Sequence, residues 1–413
     1  MAEVCIIGMG YIGLPTALAF AQSGKTVCGV DISEDVCETI NKGKIHIVEP
    51  GLEEVAQKVF IQGNLRAGTE PVPSDCYIIA VPTPITKDKK ADLSYVKSAA
   101  QAVSKVLKSG NLVVLESTVP PRCTEDVLIP ELEKSGLKAG KDFLVAHCPE
   151  RVLPGKIMYE LVHNNRIVGG IDEASAKAAR DLYQSFVVGE MFLTSATTAE
   201  LCKLMENTYR DVNIALANEL ALLSEQLGVD AWEVIKLANM HPRVNLHQPG
   251  PGVGGHCLAV DPWFIVEAQP NTAHIVGLAR KTNDKMPHHV ADLVEQNTKA
   301  KGKVVLLGAT YKPDIDDMRE SPTLETKEDL EERGFDVMVF EPHVPSGTQS
   351  IYEVAAGADT VVLCVHHTVF ADIDFDHLAK VMAGKTILDT RAYFDSSKVN
   401  DAGLHYVCLG KGD

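Results

Sequence analysis

The chain opens with a short apolar run, residues 4–8, that leads directly into glycines spaced as G-x-G-x-x-G. These are Gly8, Gly10 and Gly13, and a helix-forming segment, LPTALAFAQSG, follows them. A strand, a tight glycine turn and a helix N-terminus in this order offer free N–H groups to a pyrophosphate. The stretch predicts a dinucleotide site in an α/β domain. The alternative is a tight strand-to-helix turn without a ligand.

Asp31 ends the next predicted strand, TVCGVD, at about the twenty-residue distance that the dinucleotide fingerprint requires. An acidic side chain here accepts hydrogen bonds from the ribose hydroxyls and repels a 2′-phosphate. No arginine follows it, since the next residues are Ile32 and Ser33. The expected cofactor is therefore NAD rather than NADP. Its expected contacts, at the turn and at neighbouring strand ends, are Gly8, Gly10, Tyr11, Ile12, Gly13, Asp31, Pro82, Thr83 and Thr118.

Composition limits the class of protein. A chain of 413 residues exceeds what one hydrophobic core usually serves, so two or three domains are expected. A net charge of -17 argues against a nucleic-acid binder, which needs clustered Lys and Arg. The chain has no targeting segment and no apolar run long enough to span a bilayer, so a cytoplasmic location is expected. The ten cysteines suggest reduced thiols, and without a C-x-x-C cluster no metal is expected.

Strand-like and helix-like segments alternate up to about residue 195. Apolar runs at 77–84, 111–118 and 143–150 are separated by helical segments, and RIVGG and GEMFLT follow as two further strands. This alternation predicts parallel βαβ units in a doubly wound sheet, whose ligands bind at the carboxyl ends of the strands. Thr118 and Glu150 lie at such ends. A threonine there is equally well a turn or cap residue.

A long helical run without glycine or proline follows, from Thr198 to about Leu227. Lys203, Asn207 and Arg210 fall on one face of it, which either lines a cleft or is a solvated stripe. After residue 301 the βα rhythm restarts, with a first turn, GATYKPDIDDMRESP, that lacks the glycine fingerprint. The predicted domains are 1–197 (NAD-binding), 198–299 (helical) and 300–413 (a second nucleotide-type α/β domain).

Cys257 lies in a stretch rich in glycine and proline, HPRVNLHQPGPGVGGHCLAVDPW. Gly254 and Gly255 permit a shaped turn before the thiol, and Asp261 follows four residues later. One interpretation is a presented nucleophile. The other is a buried structural cysteine, since unpaired cysteines are among the most buried residues.

These segments together resemble the UDP-glucose/GDP-mannose dehydrogenase family over essentially the whole chain. The resemblance rests on GMGYIGLP, ESTVPP, CPERVLPG, ELCKLMENTYRDVNIALANE, PGPGVGGHCLAVDPWFI and GATYKPDIDDMRESP. Within the family, IHIVEP, CPERVLPG and HPRVNLHQPGPGVGGHC are similar to the branch that oxidises UDP-N-acetyl-D-mannosamine at C6. The resemblance implies an N-terminal Rossmann NAD domain, a central helical domain that forms a homodimer, and a C-terminal UDP-binding domain. It also implies a UDP-N-acetylhexosamine substrate and a place in polysaccharide biosynthesis.

The resemblance further implies catalytic roles. Cys257 would be the nucleophile, Lys203 and Asp261 would handle the proton of the C6 hydroxyl through a water, and Asn207 would supply a further hydrogen bond. The water and the reacting oxygen would be ordered by Glu150 and Thr118. The implied substrate contacts are Arg151, Val152, Lys203, Asn207, Arg210, His241, Arg243, Gly252, Gly254, Tyr311, Lys312 and Arg319.

The chemistry of the residues agrees with that assignment. An aldehyde has no hydride to give easily until a nucleophile adds to it, and a thiolate makes that addition. A neighbouring cation such as Lys203 stabilises the developing oxyanion charge. From the residues alone, Lys312 and Arg319 bind a phosphate or are surface charges.

Four alternatives are weighed from the sequence. Other nucleotide sugars, namely UDP-GlcNAc, UDP-GalNAc and UDP-glucose, are possible substrates. A β-hydroxyacid dehydrogenase has the same Lys-x-x-x-Asn pair but needs neither Cys257 nor a second α/β domain. A zinc alcohol dehydrogenase lacks its ligand cluster here, and a dead NAD-binding scaffold is disfavoured by Lys203, Cys257 and Asp261. Two segments, PPRCTE after Thr118 and DTRAYF near Arg391, depart from the family pattern, so the role of Arg391 is left open.

Overall fold

The computed structural model describes residues 2–344 and 350–412. The chain divides into two compact units, Met1–Glu206 with Glu267–Pro270, and Asn207–Val266 with Asn271–Asp413. Within the described residues, no helix is both long and apolar enough to cross a membrane.

The first unit is built on an eight-stranded sheet, counted over the described residues, with the order β3-β2-β1-β4-β5-β6-β7-β8. The strands are β1 Ala2–Ile7, β2 Val27–Val30, β3 Leu65–Gly68, β4 Ser74–Ile79, β5 Leu112–Leu115, β6 Leu144–His147, β7 Arg166–Gly170 and β8 Met191–Ser195. The helices are α1 Gly13–Gln22, α2 Glu34–Asn41, α3 Leu52–Gln62, α4 Ser94–Ser104, α5 Ile129–Leu132, α6 Ile157–His163 and α7 Glu173–Tyr183.

Both faces of this sheet are covered. Val4 and Ile6 pack into one hydrophobic cluster, whereas Cys5 and Ile7, which alternate with them along β1, pack into another. A strand buried on both faces needs an uninterrupted apolar run, and that run is the signal that predicted β1. The predicted fold class is confirmed: an N-terminal Rossmann-type α/β domain, a central helical region with a long helix, and a second parallel sheet towards the C-terminus.

One strand pair differs from the expected parallel arrangement. β6 and β7 are antiparallel, with Ala146 opposite Gly170 and His147 opposite Gly169. β7 and β8 are again parallel. The sequence predicted β7 as a strand but not its direction in the sheet, because the pairing of a strand is not encoded in its local apolar pattern.

The helical segments that follow are α8 Ala196–Leu227, α9 Ala231–Ala238, α10 Asp261–Ala268 and α11 His274–Asn297. The long helix predicted from Thr198 is thus confirmed as α8. Arg280 of α11 forms a fully buried ion pair with Asp211 of α8, and Asn283 donates a second hydrogen bond to the same carboxylate at 2.8 Å. Buried charges of this kind persist only when they are paired and hydrogen-bonded, so the contact fixes the register of the two helices.

The second unit contains a five-stranded parallel sheet in its described residues, with the order β10-β9-β11-β12-β13. Its strands are β9 Lys303–Leu307, β10 Asp336–Phe340, β11 Thr360–Leu363, β12 Thr386–Asp389 and β13 His405–Cys408. Its helices are α12 Pro322–Glu332, α13 Ile351–Val354, α14 Phe375–Val381 and α15 Ser396–Asp401. This order repeats that of β2-β1-β4-β5-β6 in the first sheet, as the renewed βα rhythm of the sequence predicted.

Candidate active site

The glycine turn between β1 and α1 has the geometry of an anion site. A Cβ atom at Gly13 would lie 1.7 Å from the carbonyl oxygen of Gly8, so only glycine fits there. A Cβ at Gly10 would meet nothing within 4 Å, which leaves the approach to the turn open. The first turn of α1 has no acidic residue and no side-chain cap, so no side chain competes with a ligand anion for this helix N-terminus.

Asp31 is fixed beside this turn. Its carboxylate accepts the N–H of Met9 at 2.9 Å and the N–H of Ser33 at 3.0 Å. Each carboxylate oxygen keeps a second lone pair, which suits the two ribose hydroxyls of NAD. Ile32, the next residue, is 90% exposed and offers no charge to a 2′-phosphate. The turn, the helix terminus and Asp31 therefore fit NAD. Tyr11 is half exposed at the same turn.

Glu341 occupies the equivalent position in the second sheet, directly after β10. Its Oε2 accepts the N–H groups of Ala309 and Thr310 at 2.7 and 3.2 Å. The turn after β9 thus holds the carboxylate that follows β10, just as the turn after β1 holds Asp31 through the N–H of Met9.

Two predicted residues of the first unit lie at strand ends. The Thr83 hydroxyl donates to the carbonyl oxygen of Thr118 at 2.7 Å, which joins the loops after β4 and β5. Pro82 is exposed in the first of these loops. After β6, Glu150 accepts the N–H of Arg151 at 2.7 Å and an ion pair from Arg166, also at 2.7 Å. The sequence did not indicate Arg166.

Lys203 lies on α8 and is partly buried. One turn earlier, the buried Glu200 accepts the N–H of Arg122 at 2.6 Å and the N–H of Thr124 at 2.8 Å. Glu200 therefore anchors the loop after Thr118 to the helix that carries Lys203.

Arg151, a predicted substrate contact, is paired with Glu206 at 2.6 Å, and its neighbour Val152 is partly buried. A substrate phosphate would therefore have to compete with the Glu206 carboxylate for this guanidinium. The ion pair is partly exposed, so the competition carries only a modest cost.

Three predicted catalytic residues come together in the second unit. Cys257 is exposed, which argues against its interpretation as a buried structural cysteine. Its carbonyl oxygen accepts the N–H groups of Val260 and Asp261 at 3.1 and 2.8 Å, so the cysteine and Asp261 share one helical turn. The Asp261 side chain is buried, and Oδ2 accepts the amide of Asn207 on α8 at 2.6 Å.

The predicted nucleotide-sugar segments of the second unit also meet. The N–H of Gly255, whose φ of +80° suits glycine, donates to the Arg319 carbonyl oxygen at 3.2 Å. A Cβ at Gly254 would lie 2.5 Å from the Glu320 carbonyl oxygen and 3.0 Å from the Tyr311 side chain. The glycines before Cys257 therefore permit a close approach of the 311–320 loop.

The cationic residues predicted to contact the substrate are mostly exposed. Arg319 is paired with Asp317 at 2.6 Å. Four further predicted contacts have exposed side chains, namely Arg210, His241, Arg243 and Lys312. Gly252, another predicted contact, is partly buried.

Arg391, whose role the sequence left open, is a strong anion-site candidate. Its Nε donates to the Cys364 carbonyl oxygen at 3.4 Å, and no carboxylate of the described residues lies within 4.0 Å of the guanidinium. Burial lowers the pKa of Arg391 to about 10. A Cβ at Gly250 would lie 2.3 Å from Nη1, so the guanidinium packs against the backbone of the Cys257 stretch. A desolvated guanidinium that forms no ion pair favours an anionic ligand.

Asp314, His343 and His367 lie close enough together to hold a metal ion. However, Nδ1 of His367 accepts the Asp314 N–H at 2.9 Å, and Nε2 faces Glu341 at 3.1 Å. The Asp314 carboxylate also accepts the N–H and hydroxyl of Thr368 at 2.9 and 2.5 Å. These hydrogen bonds join the loops after β9, β10 and β11, so a structural role explains why the three side chains lie close together.

The doubly wound sheet with an NAD-compatible turn, followed by a long helix and a second nucleotide-type sheet, defines an NAD-dependent oxidoreductase. The chain belongs to the UDP-glucose/GDP-mannose dehydrogenase family and is an NAD-dependent nucleotide-sugar dehydrogenase. It matches the NAD binding domain of that family over residues 2–187, the central domain over 197–285 and the UDP binding domain over 305–396. This membership excludes the β-hydroxyacid and zinc alcohol dehydrogenases as classes.

Relatives with similar sequences cover nearly the whole chain. It is 46% identical to an NDP-N-acetyl-D-galactosaminuronic acid dehydrogenase of Ralstonia nicotianae, over 96% of this chain and 97% of that protein. It is 47% identical to a UDP-N-acetyl-D-mannosamine dehydrogenase of Campylobacter jejuni, over 91% and 97%. Among solved structures, the UDP-D-ManNAc dehydrogenase of Pyrococcus horikoshii superposes with a TM-score of 0.92 at 42% identity, covering 99% of both chains.

Proposed function

We propose that this enzyme oxidises the C6 hydroxyl of UDP-N-acetyl-D-mannosamine to a carboxylate, giving UDP-N-acetyl-D-mannosaminuronate in two oxidations. The observation that carries this proposal is the turn that holds the exposed Cys257 beside the buried Asp261–Asn207 pair. A thiol is what the second oxidation requires, and a hydrogen-bonded carboxylate is what proton transfer requires.

In the first oxidation, Asp261 accepts the hydroxyl proton through a water, the Lys203 cation stabilises the developing negative charge on the oxygen, and an aldehyde forms. Cys257 then adds to C6, forming a C–S bond while the carbonyl oxygen gains a proton. The resulting thiohemiacetal is oxidised to a thioester. NAD, when bound, accepts one hydride in each oxidation.

Hydrolysis completes the sequence. A water that Glu150 and Thr118 order forms a bond to C6, the C–S bond breaks, and sulfur leaves as thiolate. Glu150 accepts the proton of the water. Because the thioester is lost as a carboxylate, the second oxidation cannot run backwards.

We assign the diphosphate of the substrate to Arg391, in addition to Lys312, Tyr311 and Arg319. The partly buried guanidinium has no carboxylate partner among the described residues, whereas Arg319 is already paired with Asp317. An arginine can bind a phosphate through two parallel hydrogen bonds. The remaining proposed substrate contacts are Arg151, Val152, Lys203, Asn207, Arg210, His241, Arg243, Gly252 and Gly254.

A second substrate is favoured by one specific observation. The Ralstonia relative, named for an N-acetylgalactosaminuronic acid product, is as similar to this chain as the Campylobacter relative, at 46% against 47% identity. UDP-N-acetyl-D-galactosamine is therefore the second candidate substrate.

A panel of UDP-N-acetylhexosamines, assayed for kcat/KM and for NADH formed per sugar, tests the proposal. We expect UDP-N-acetyl-D-mannosamine to be preferred, with two NADH per sugar consumed. A preference for the galactosamine sugar would reassign the substrate, and one NADH per sugar would contradict the two-step oxidation.

We further propose three domains, 1–197, 198–299 and 300–413, and a homodimer formed through the central helical domain. Exposed apolar side chains recur on one face of α8 at Tyr209, Leu216, Leu223 and Leu227, with 60%, 52%, 47% and 73% exposure. An apolar stripe of this kind suits a second copy of the same helix. Leu216→Glu should shift the mass in solution from dimer to monomer, measured by light scattering. A wild-type monomer would contradict the dimer.

A further inference from the structure

Glu150 is held in one orientation by a buried ion pair. Nη2 of Arg166 lies 2.7 Å from Oε2 of Glu150, and their side chains are 4% and 8% exposed. The other carboxylate oxygen accepts the N–H of Arg151 at 2.7 Å. Both oxygens are therefore fixed, and a general base acts only when it is aimed at the proton that it accepts.

Arg166 is itself held from behind. Its guanidinium carbon lies 4.8 Å from the centre of the Tyr183 ring and 5.7 Å from that of Phe186. Its Nη1 contacts the Cys148 sulfur at 3.8 Å, and Nη2 also donates to the Leu161 carbonyl oxygen at 3.4 Å. An arginine stacked on two aromatic rings has little freedom to move.

The Tyr183 ring is fixed in turn by Glu116. The Tyr183 hydroxyl donates to Oε1 of Glu116 at 2.5 Å, and both side chains are buried. Glu116 directly follows β5 and lies two residues before Thr118 in the chain. A continuous buried chain therefore runs from Glu116 through Tyr183 and Arg166 to Glu150. Every member lies in the first unit.

We infer that Arg166 is a positioning residue for Glu150, and that Tyr183, anchored by Glu116, sets the position of Arg166. The inference rests on the proposed function, because it concerns the water that Glu150 directs at the thioester. The guanidinium of Arg166 holds Oε2 of Glu150 in an ion pair, and the stacked Tyr183 ring holds that guanidinium, so the direction of the Glu150 carboxylate depends on both residues.

Substitutions must be conservative, because removal of one partner of a buried ion pair leaves an uncompensated charge. Arg166→Lys keeps the charge but loses the planar contact with Tyr183 and the fixed geometry towards Glu150. Tyr183→Phe keeps the ring but removes the hydrogen bond to Glu116, so it tests the chain with the least disturbance of packing. Glu150→Gln provides the reference, and Arg180→Lys, at a surface arginine paired with Asp181, is the matched control.

The enzyme is quenched with acid during turnover with UDP-N-acetyl-D-mannosamine and NAD, and its intact mass gives the fraction that carries a sugar thioester on Cys257. We expect Glu150→Gln to accumulate this adduct. Arg166→Lys and Tyr183→Phe should accumulate it as well, with kcat lowered roughly 10-fold or more and NAD affinity unchanged. Arg180→Lys should behave as wild type.

Two results would overturn the inference. The first is that Glu150→Gln accumulates the thioester adduct, whereas Arg166→Lys and Tyr183→Phe carry no adduct and keep the wild-type kcat. The other is a parallel loss of NAD affinity, melting temperature and activity in both variants, which would show a structural role only. If Glu150→Gln itself carries no adduct while its kcat is low, the proposed role of Glu150 fails, and that outcome is distinct from the first.

Discussion

The side-chain amide of Asn207 donates a hydrogen bond to Oδ2 of Asp261 at 2.6 Å, and both groups are buried. Asp261 follows Cys257 on one helical turn, whereas Asn207 comes from the long helix α8. A buried carboxylate keeps its charge only with such partners. The contact therefore fixes Asp261, the carboxylate that the proposed mechanism uses, on the same helical turn as Cys257, the proposed nucleophile.

Asn207→Ala should lower kcat by roughly 10-fold to 100-fold, because a buried carboxylate loses a hydrogen bond and its position. Steady-state kinetics with NADH detection measure the change, and urea unfolding should show a loss of roughly 1–3 kcal/mol in stability. Asn213→Ala is the matched control on α8, since its amide donates to the Tyr209 carbonyl oxygen at the surface. Wild-type kcat in Asn207→Ala would contradict this role.

Asp31 should determine the choice of cofactor. Its carboxylate is fixed by the N–H groups of Met9 and Ser33, so it cannot turn away from a 2′-phosphate. The wild-type kcat/KM for NAD should exceed that for NADP by orders of magnitude, and Asp31→Ser should narrow the ratio. Glu34→Gln, at an exposed acid on α2, should leave the ratio unchanged. Comparable wild-type values for the two cofactors would refute the assignment.

Arg391→Met should raise KM for the UDP-sugar by roughly 10-fold to 100-fold, because a charge-assisted hydrogen bond to a phosphate is lost. KM for NAD should stay as in wild type. Lys398→Met removes an exposed charge nearby in the chain and serves as the control. An unchanged KM for the sugar, together with unchanged inhibition by UDP, would remove Arg391 from the substrate site.

Glu116 should make folding stability depend on pH. Burial raises its pKa to about 7, so the folded protein binds this proton more tightly than the unfolded chain. The protonated Glu116 contributes roughly 3 kcal/mol to the free energy of unfolding. This contribution is complete below the ordinary carboxyl pKa and is lost as pH rises through about 7.

The test compares wild type with Glu116→Gln, because burial also lowers the pKa of His147 to about 3, which gives a slope of the opposite sign in both proteins. Thermal unfolding between pH 5 and 8 should show wild type losing stability relative to Glu116→Gln as pH rises. A difference that is constant over this range would mean that Glu116 is not protonated in the folded state.

The sequence predicts those parts of the molecule that local patterns encode. The β1–turn–α1 unit could be recognised because burial on both faces demands an apolar strand and close approach demands Gly13. The helix α8 could be recognised because no glycine or proline interrupts it. Asp31 was found because its distance from the turn is set by the length of one βαβ step.

The remaining parts depend on contacts between distant segments. Arg166 looks like an ordinary strand residue until β7 places it against Glu150 and Tyr183. The sequence does not show that the Arg391 guanidinium packs against the Gly250 backbone and forms no ion pair with the described residues, because both properties depend on tertiary contacts. The antiparallel pairing of β6 and β7 likewise follows from how the chain returns to the sheet, which no local pattern encodes.

The most direct test of the two-step oxidation is the product formed by Cys257→Ser, followed by mass spectrometry beside the NADH count. Wild type should give two NADH and one uronate per UDP-N-acetyl-D-mannosamine. Cys257→Ser should bind NAD with wild-type affinity and form no uronate, because the serine hydroxyl is a far weaker nucleophile than a thiolate. Steady-state formation of uronate by Cys257→Ser at the wild-type rate would contradict the thioester mechanism.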